Sequence, residues 1–305
     1  MRKLLIKPYV FLRNLFRGRG LSRIKFLKNI NLAADKFLRG KTEEFMMKRG
    51  GKMYMDPFGY LSERFQEYEP YESDLIESLL KEGDTFVDIG ASIGWYTLIG
   101  ANKVGPSGKV YAFEPDPRSS ALLRKNVDAN DYKNVTVVEK AVSEKVGEHE
   151  IFLREEKWGN NSFFNPMQDP ETLVLPFVRG NSPEGYAKET SVKTVSLDDY
   201  FKDTRIDLMK IDTEGAENLA LKGGKGVFTK NRNITVICEY IPFIMEATGG
   251  KGEHERFLRG FEELGFSIQD LDEHEKRLVP VSVEEVLEKY TAGKRNGTNL
   301  LFKRA

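Results

Sequence analysis

Thr85-Phe-Val-Asp-Ile-Gly-Ala-Ser-Ile-Gly94 is the stretch that decides the fold of this 305-residue chain. Its first five residues predict a short buried strand, and the glycine-rich turn behind them opens a helix from Trp95 to Lys103. A dinucleotide-binding turn needs G-x-G-x-x-G, and a Walker A loop needs a lysine after its last glycine. Asp88-x-Gly-x-x-x-Gly94 matches neither pattern. The turn therefore predicts a ligand that lies against the backbone without a phosphate contact.

Strands alternate with helices of 10–15 residues on both sides of this turn. Such alternation is typical of a parallel sheet with right-handed crossovers, so the fold class predicted is α/β. A helix over 71–80 precedes the turn. The other strands predicted are 109–114, 135–139, 206–211, 234–239, 266–271 and 299–303, and the other helices are 118–130, 214–222 and 253–264.

Residues 147–200 interrupt the alternation. The runs 150–153, 162–164 and 191–195 predict the strands of a β-hairpin insertion around a polar loop. A long insertion in a doubly wound domain is typical of a lid or a substrate loop. Its stretch Lys157-Trp-Gly-Asn-Asn-Ser-Phe-Phe164 combines aromatic rings with amides and a hydroxyl, a set that suits a glycan. The alternative is a hairpin tip with a packing tryptophan.

Acidic residues stand at the ends of the first two strands. Asp88 can accept a hydrogen bond from an ammonium group, and Glu114 follows the second strand in Phe113-Glu-Pro-Asp-Pro117. In nucleotide-binding α/β folds, an acidic residue at the end of the second strand accepts hydrogen bonds from the two ribose hydroxyls. An adenosine-type ligand with a positively charged amino-acid tail satisfies both acids, and that ligand is S-adenosylmethionine.

These motifs together resemble the FkbM family of class I methyltransferases. That family combines a D-x-G-A-x-x-G-x-x-T loop with F-E-P and a later K-I-D-x-E-G-A-E. This chain has Asp88-Ile-Gly-Ala-Ser-Ile-Gly-Trp-Tyr-Thr97, Phe113-Glu-Pro115 and Lys210-Ile-Asp-Thr-Glu-Gly-Ala-Glu217. Tyr68-Glu-Pro70 and Val195-Ser-Leu-Asp-Asp199 are also similar to family positions, so the resemblance spans most of the chain after the first 55 residues.

The resemblance implies a Rossmann-like class I methyltransferase domain over 53–305, with a mostly parallel sheet and an antiparallel final strand. It implies that Glu114 holds the ribose hydroxyls of S-adenosylmethionine, and that Asp88 lies near the amine. Glu69 would approach the cofactor from the N-terminal side, the backbone of Ala141 would contact the adenine ring, and Asp212 would face the methyl-transfer centre. The residues implied to line the methionine moiety are Gly90, Ala91, Ser92 and Gly94.

A cluster of charged residues surrounds the end of the fourth predicted strand. Lys210 and Asp212 lie on one face of that strand, and Glu214 and Glu217 are predicted to share a face of the next helix. A buried Lys210 needs a carboxylate partner, for which Asp212 and Glu239 are available. These four residues of 210–217 are our candidates for catalysis. The alternatives are a helix-dipole role for Glu214 and a solvated face for Glu217.

Methyl transfer requires little activation by these groups, because a sulfonium methyl is already activated and the reaction needs mainly a well-placed acceptor oxygen. A hydroxyl acceptor gains from a general base, and Asp212 or Glu214 can serve. His149 is another conceivable base, although an exposed strand position also explains it. A divalent cation held by two or three acids is a further alternative, but no metal ligand is predicted.

The formal net charge is zero, yet it is unevenly distributed. Residues 1–52 carry 15 basic and three acidic side chains, a net of +12, and the remainder carries −12. Apolar residues at helical spacing predict a basic amphipathic arm, for which an anionic membrane surface is a candidate partner through residues 1–40. The alternative is packing or a homo-oligomer contact. Nucleic acid is not expected, because no recognised motif accompanies the charge.

No run near 20 apolar residues and no cleavage site occur, so neither a membrane span nor a signal peptide is expected. A single cysteine, Cys238, fits a reducing cytoplasm. The function predicted is S-adenosylmethionine-dependent O-methylation of a hydroxyl, in a sugar of a glycan or lipid-linked glycan, with peripheral location at the inner membrane face. The alternatives are a soluble secondary metabolite as acceptor, or a non-catalytic cofactor-binding module.

Overall fold

A computed structural model of the chain describes two compact units, Met1–Tyr68 and Glu69–Ala305. In the first unit, strand β1 (Glu44–Met46) pairs antiparallel with β2 (Lys52–Tyr54). The basic arm predicted before these strands lies outside the described residues, and the domain boundary at residue 52 stays a prediction. The residues that the structure describes are 44–47, 49, 51–55, 68–154, 161, 163, 186–294 and 296–304.

The second unit contains two sheets. Their strands, in chain order, are β3 (Thr85–Ile89), β4 (Lys109–Phe113), β5 (Val135–Val138), β6 (Ala141–Val142), β7 (Gly147–Arg154), β8 (Tyr186–Val195), β9 (Leu208–Ile211), β10 (Thr235–Tyr240), β11 (Ser267–Asp272), β12 (Arg277–Val281) and β13 (Thr298–Lys303).

The larger sheet has eight strands in the order β12-β11-β13-β10-β9-β3-β4-β5. The five strands from β10 to β5 are parallel, and the final strand β13 pairs antiparallel with β10. The prediction of a mostly parallel sheet with an antiparallel final strand is therefore confirmed. Strand β12, which forms the edge beside β11, was not predicted; its Pro280 is disfavoured within a strand except at the edge of a sheet.

All five residues of the central strand β3 are buried, as expected for a parallel strand with helices on both faces of its sheet. Ile89, the last residue of β3, is in register with Phe113 of β4 and Ile211 of β9. The residues that follow these three strands therefore meet at one edge of the sheet. This edge carries the candidate site.

Helices cover both faces of the larger sheet. Proline at the first position helps to start three of them, since its ring fixes a helical φ and it has no amide donor to leave unpaired. The helices, in chain order, are α1 (Pro70–Leu79), α2 (Trp95–Val104), α3 (Pro117–Ala129), α4 (Leu197–Phe201), α5 (Glu217–Lys222), α6 (Lys225–Lys230), α7 (Pro242–Gly249), α8 (Glu253–Glu263) and α9 (Val283–Lys289).

The helix predicted from residue 214 begins three residues later than expected. Glu214 and Gly215 have φ values of 54° and 104°, in the left-handed region that a right-handed helix excludes. Glu214 therefore belongs to the loop after β9, and its predicted shared helical face with Glu217 is wrong. No helix among the described ranges is long and apolar enough to cross a membrane.

The insertion forms the second, three-stranded sheet, in the order β6-β8-β7. Strands β7 and β8 pair antiparallel, so the predicted β-hairpin is present. Phe163 lies in a bend rather than in the strand predicted over 162–164. Residues 157–160, which include the predicted glycan-binding tryptophan, lie outside the described residues.

Candidate active site

A cleft of about 550 Å³ opens at the carboxyl edge of the parallel strands. Its walls come from the loops after β3, β4, β5 and β9, and from the insertion. The lining residues are Ile89, Gly90, Ser92, Phe113, Glu114, Pro115, Lys140, Ala141, Val142, Ile151, Asn161, Phe163, Asp212, Thr213 and Glu214.

The glycine-rich turn brings the loops after β3 and β9 into contact. Gly90 has a φ of 83°, and a Cβ atom at this position would lie 1.7 Å from the carbonyl oxygen of Asp212. Only glycine fits both that conformation and that approach. The backbone amides of Gly90 and Ala91 each donate to the Phe113 carbonyl over 3.0 Å. The turn is thus tied to β4 on one side and touches the β9 loop on the other.

Glu114 stands in the cleft at the end of β4. Its two carboxylate oxygens accept hydrogen bonds from the amides of Ser92 and Asp116, each over 2.8 Å. Burial raises the pKa of the Glu114 carboxyl to about 8. Ser92 itself has a φ of 49°, a left-handed conformation that the turn imposes on a residue with a side chain.

Asp88 lies beneath the turn and does not line the cleft. Its side chain is buried and accepts a hydrogen bond from the Thr97 hydroxyl over 2.5 Å. Burial raises the pKa of Asp88 to about 6. Ala91 and Gly94 also belong to the turn without lining the cleft, so the structure brings Gly90 and Ser92 to the surface of the site from the predicted set.

Lys210 is completely buried in β9. Its Nζ lies 2.9 Å from Glu72 Oε1 and 3.3 Å from Asp212 Oδ2, and it donates to Asn299 Oδ1 over 3.4 Å. Burial by itself lowers the pKa of this ammonium, but the carboxylates of Asp212 and Glu72 outweigh burial and raise it well above its usual value. The sequence predicts that a buried Lys210 needs a carboxylate partner, and Asp212, one of the two candidates named above, is in contact with it.

The closest partner, Glu72, was missed by the sequence reasoning. A signal for it exists, because positions 72, 75, 76 and 79 form one face of the predicted helix 71–80. An acid on this otherwise apolar face indicates a buried ion pair. In the structure Glu72 is fully buried in α1, and its amide donates to Glu273 Oε2 over 3.2 Å.

Asp212 and Glu214 line the cleft, as candidates for catalysis should. Glu217 does not line it. Its Oε1 accepts hydrogen bonds from the amides of Thr213 and Gly215, over 2.9 Å and 3.1 Å, and the side chain is buried. The solvated face considered for Glu217 is therefore wrong. The contacts support a role in holding the loop, and direct catalysis by Glu217 stays a prediction.

Glu69 caps α1 beside this cluster. It has a φ of 39°, and its Oε2 accepts a hydrogen bond from the Tyr96 hydroxyl over 2.6 Å. Burial, followed by repulsion from Glu72, raises the pKa of Glu69 to about 7. Its contact with the cofactor stays a prediction.

The insertion contributes Asn161 and Phe163 to the cleft; both lie in the stretch 157–164 predicted to suit a glycan, but their contacts in the cleft were not predicted. Phe163 packs on a cluster that contains Ala141 and Ile151, and its ring stacks on exposed His149 with centroids 4.3 Å apart. The Asn161 amide donates to buried Asp116 Oδ2 over 2.8 Å. No local pattern identifies Asn161, since its partner lies 45 residues earlier in the chain.

The charges of the cleft fit a cationic ligand. Glu114, Asp212 and Glu214 contribute three carboxyl groups to the lining, against the single cation of Lys140. Within the described ranges, no group of three or more His, Cys, Asp or Glu residues is arranged to hold a metal ion.

Comparison with known proteins gives a family match over residues 88–268, to the methyltransferase FkbM domain. The 2-O-methyltransferase NoeI of Sinorhizobium fredii is 29% identical over 170 residues, which cover 52% of this chain and 65% of that protein. Methyltransferase sdnD of Sordaria araneosa is 31% identical over 155 residues, or 45% of this chain and 59% of its own length. The chain thus spans less than two thirds of either relative.

A solved structure of methyltransferase FkbM from Methylobacillus flagellatus also matches. The superposition has a TM-score of 0.42 with 17% sequence identity, and it covers 79% of this chain and 52% of the other.

Proposed function

The chain belongs to the FkbM methyltransferase family, and from this premise we propose that it methylates a hydroxyl oxygen of a sugar with S-adenosylmethionine as the donor. The observation that carries the proposal is the set of acids Glu114, Asp212 and Glu214 lining one cleft. They stand at the ends of β4 and β9, the parallel strands on either side of β3, where open α/β sheets bind their ligands.

The residues of the cleft fit this donor. Its sulfonium and ammonium groups are both positive, and the carboxylates of the lining complement them. Glu114 would accept hydrogen bonds from the ribose hydroxyls, and the turn of Gly90 and Ser92 would lie along the methionine moiety. Ala141 and Val142, next to Phe163, form an apolar wall suited to the adenine ring.

The chain's own part in the chemistry is placement and proton transfer. The donor supplies an activated methyl group, so the protein has to hold the acceptor oxygen against the methyl carbon and take up the hydroxyl proton. Asp212, whose side chain is one quarter exposed, and Glu214 are the acids in the cleft available for this. We assign the proton to Asp212, with Glu214 orienting the acceptor.

Support for a hydroxyl acceptor comes from NoeI, which is named a 2-O-methyltransferase. A sugar is supported by the aromatic and amide residues of 157–164 in the sequence of the insertion. A soluble secondary metabolite remains the second candidate acceptor, because the cleft itself contains nothing specific to a glycan.

Turnover of S-adenosylmethionine against a panel of glycans, small phenols and other metabolites tests the function. We expect methylated glycan from the wild-type chain and a loss of about 10²–10⁴-fold in kcat for Asp212→Asn. The exposed Glu144→Gln serves as the control and keeps wild-type kcat. Binding without turnover on any acceptor would favour the cofactor-binding module, and the absence of binding would refute the cofactor assignment.

We also propose a cytoplasmic enzyme that meets the inner membrane face through residues 1–40, supported by the net charge of +12 over residues 1–52. Flotation of the full chain with anionic and neutral vesicles tests this. Wild-type protein should float with anionic vesicles alone, and Arg13→Glu with Arg17→Glu should reduce that fraction. Equal behaviour with both vesicles would favour packing or a homo-oligomer contact for the arm.

A further inference from the structure

The carboxylate cluster behind the cleft contains one buried cation. Lys210 and Glu72 are both fully buried, and their charged atoms are 2.9 Å apart. Because neither side chain reaches the cleft, neither can touch an acceptor or a donor. Asp212 bridges this buried pair and the cleft, since its Oδ2 lies 3.3 Å from Lys210 Nζ while its side chain is one quarter exposed.

We propose that Lys210 and Glu72 are positioning residues for methyl transfer: Glu72 fixes the ammonium of Lys210, and that ammonium holds the Asp212 carboxylate at the cleft. This inference rests on the proposed function, in which Asp212 takes the proton of the acceptor. The acceptor oxygen forms its bond to the methyl carbon while the carbon–sulfur bond breaks with its electron pair on sulfur. The hydroxyl proton passes to the Asp212 carboxylate.

Asp212 lies among acidic side chains from α1 and its cap, β3, α5 and β10. Because like charges repel, a cation among them stabilises the arrangement. Among the described groups that interact with Asp212, Lys210 is the single cation. The groups are Lys210 of β9, Glu72 and Glu69 of α1 and its cap, Asp88 of β3, Glu217 of α5, and Cys238 and Glu239 of β10.

The fold holds both members of the pair in place. Lys210 is in register with Asp88 on β3 and with Ile237 on β10, so the sheet fixes its backbone on both sides. Helix α1 brings Glu72 to the same site, and Glu273 fixes the start of that helix by accepting from the amides of Tyr71 and Glu72 over 2.8 Å and 3.2 Å. Strands β3 and β10 and helix α1 therefore set the geometry of the pair together.

Two variants separate positioning from simple stabilisation. Lys210→Met leaves Glu72 buried without its cation and should lower stability. The double variant Glu72→Gln with Lys210→Met removes both members of the buried pair, so it should lose less stability than Lys210→Met. A residue pair with a merely structural role would regain normal catalysis in the double variant. A positioning pair would not.

The readouts are the pH profile of kcat and a carboxyl carbon NMR titration of Asp212 in the full chain. In Lys210→Met the acidic limb of kcat and the midpoint of the Asp212 titration should move to higher pH by about one unit or more. In the double variant both should move in the same direction by less, because the loss of the Glu72 charge partly offsets the loss of the nearer Lys210 charge. The matched control is Glu253→Gln with Lys222→Met, another close ion pair (2.6 Å) that does not line the cleft. It should leave both midpoints unchanged.

An unshifted Asp212 midpoint in the double variant would overturn the inference, whatever the activity. Absence of turnover in the wild-type chain would count against the proposed function instead, and the NMR titration would still decide the role of the pair. If Lys210→Met does not fold, the double variant alone gives the same decision.

Discussion

The two ends of the cleft differ in character and in origin. At one end, Asp212 and Glu214 follow β9 and Gly90 follows β3, so the polar end consists of loops at the ends of central parallel strands. At the other end, Ile151 and Phe163 come from the insertion and form an apolar wall. The comparison indicates that the parallel strands position the acids of the cleft, whereas the insertion adds an apolar wall. The two ends should therefore respond differently to substitution.

The largest effect is expected at the polar end, from Gly90→Ala. The new methyl group would collide with the Asp212 carbonyl at 1.7 Å in a backbone conformation that alanine disfavours. We expect a loss of about 3 kcal/mol or more in the free energy of unfolding, and loss of cofactor binding. Chemical denaturation and calorimetry with S-adenosylmethionine measure the two effects.

Gly250→Ala is the matched control for that variant. Gly250 has a similar φ of 88°, but a Cβ atom there meets nothing within 4 Å. Only the conformational cost of about 1 kcal/mol should remain, with binding unchanged. Equal losses in the two variants would mean that the contact between the loops after β3 and β9 contributes nothing.

Glu114→Gln should have the next largest effect, since it replaces one acceptor oxygen for the ribose hydroxyls with an amide group. A buried polar group left without its hydrogen bond costs about 1–3 kcal/mol, so affinity for S-adenosylmethionine should fall by about 10–100-fold. Glu139→Gln is the control, because Glu139 follows β5 as Glu114 follows β4 and its carboxylate is half exposed without lining the cleft. Unchanged affinity in Glu114→Gln would remove the ribose assignment.

The same residue gives a pH dependence of stability. The pKa of Glu114 is about 8 in the folded protein and about 4.3 in an unfolded chain, so the folded state binds the proton more tightly. Its stabilising contribution is complete below about pH 4.3 and is lost as the pH rises through 8, at up to about 1.4 kcal/mol per pH unit. Denaturation of the cofactor-free protein at several pH values should show this slope reduced in Glu114→Gln.

Phe163→Ala tests the apolar end. Losing the ring from the wall beside Ala141 should weaken binding of S-adenosylmethionine by about tenfold, while kcat at saturation stays near wild type. Phe152→Ala on β7 is the control, because neighbouring positions 151 and 152 of a strand face opposite sides and Phe152 does not line the cleft. A lower kcat in Phe163→Ala would show that the two ends are not separable.

Asn161→Ala should have the smallest effect. It removes the hydrogen bond from Asn161 to buried Asp116, a contribution of about 0.5–1.5 kcal/mol. Asp116 keeps its contacts with Arg118, including 2.7 Å to Nη2. We expect affinity for S-adenosylmethionine to fall by a few-fold, measured by calorimetry. A loss as large as that of Glu114→Gln would contradict this ranking.

The polar end was the more predictable of the two from sequence. Gly90, Glu114 and Asp212 directly follow short apolar strands, so their positions at one edge of the sheet follow from strand order alone. Glu72 was also accessible, as an acid on an apolar helical face. The helix was predicted to start at residue 214 because acidic residues such as Glu214 are favoured in the first turn of a helix. The left-handed conformation of Glu214 and Gly215 instead delays the start.

The apolar end depends on contacts that no local pattern reveals. Asn161 reaches Asp116 across 45 residues, and Phe163 meets Ala141 only after the hairpin has folded back. Hydrophobic periodicity describes how one segment is buried, but it does not identify the partner segment. Sequence reasoning therefore predicted the sheet and its acids better than the wall formed by the insertion.

The contact between Gly90 and the Asp212 carbonyl has a consequence for how such a scaffold diversifies. Because the two loops touch through backbone atoms, neither can be lengthened, bent or displaced without the other. Under the proposed function, the distance between methyl donor and proton acceptor would therefore be set by both loops together. Adaptation to a new acceptor would then fall to elements outside this contact, such as β7 and β8 of the insertion.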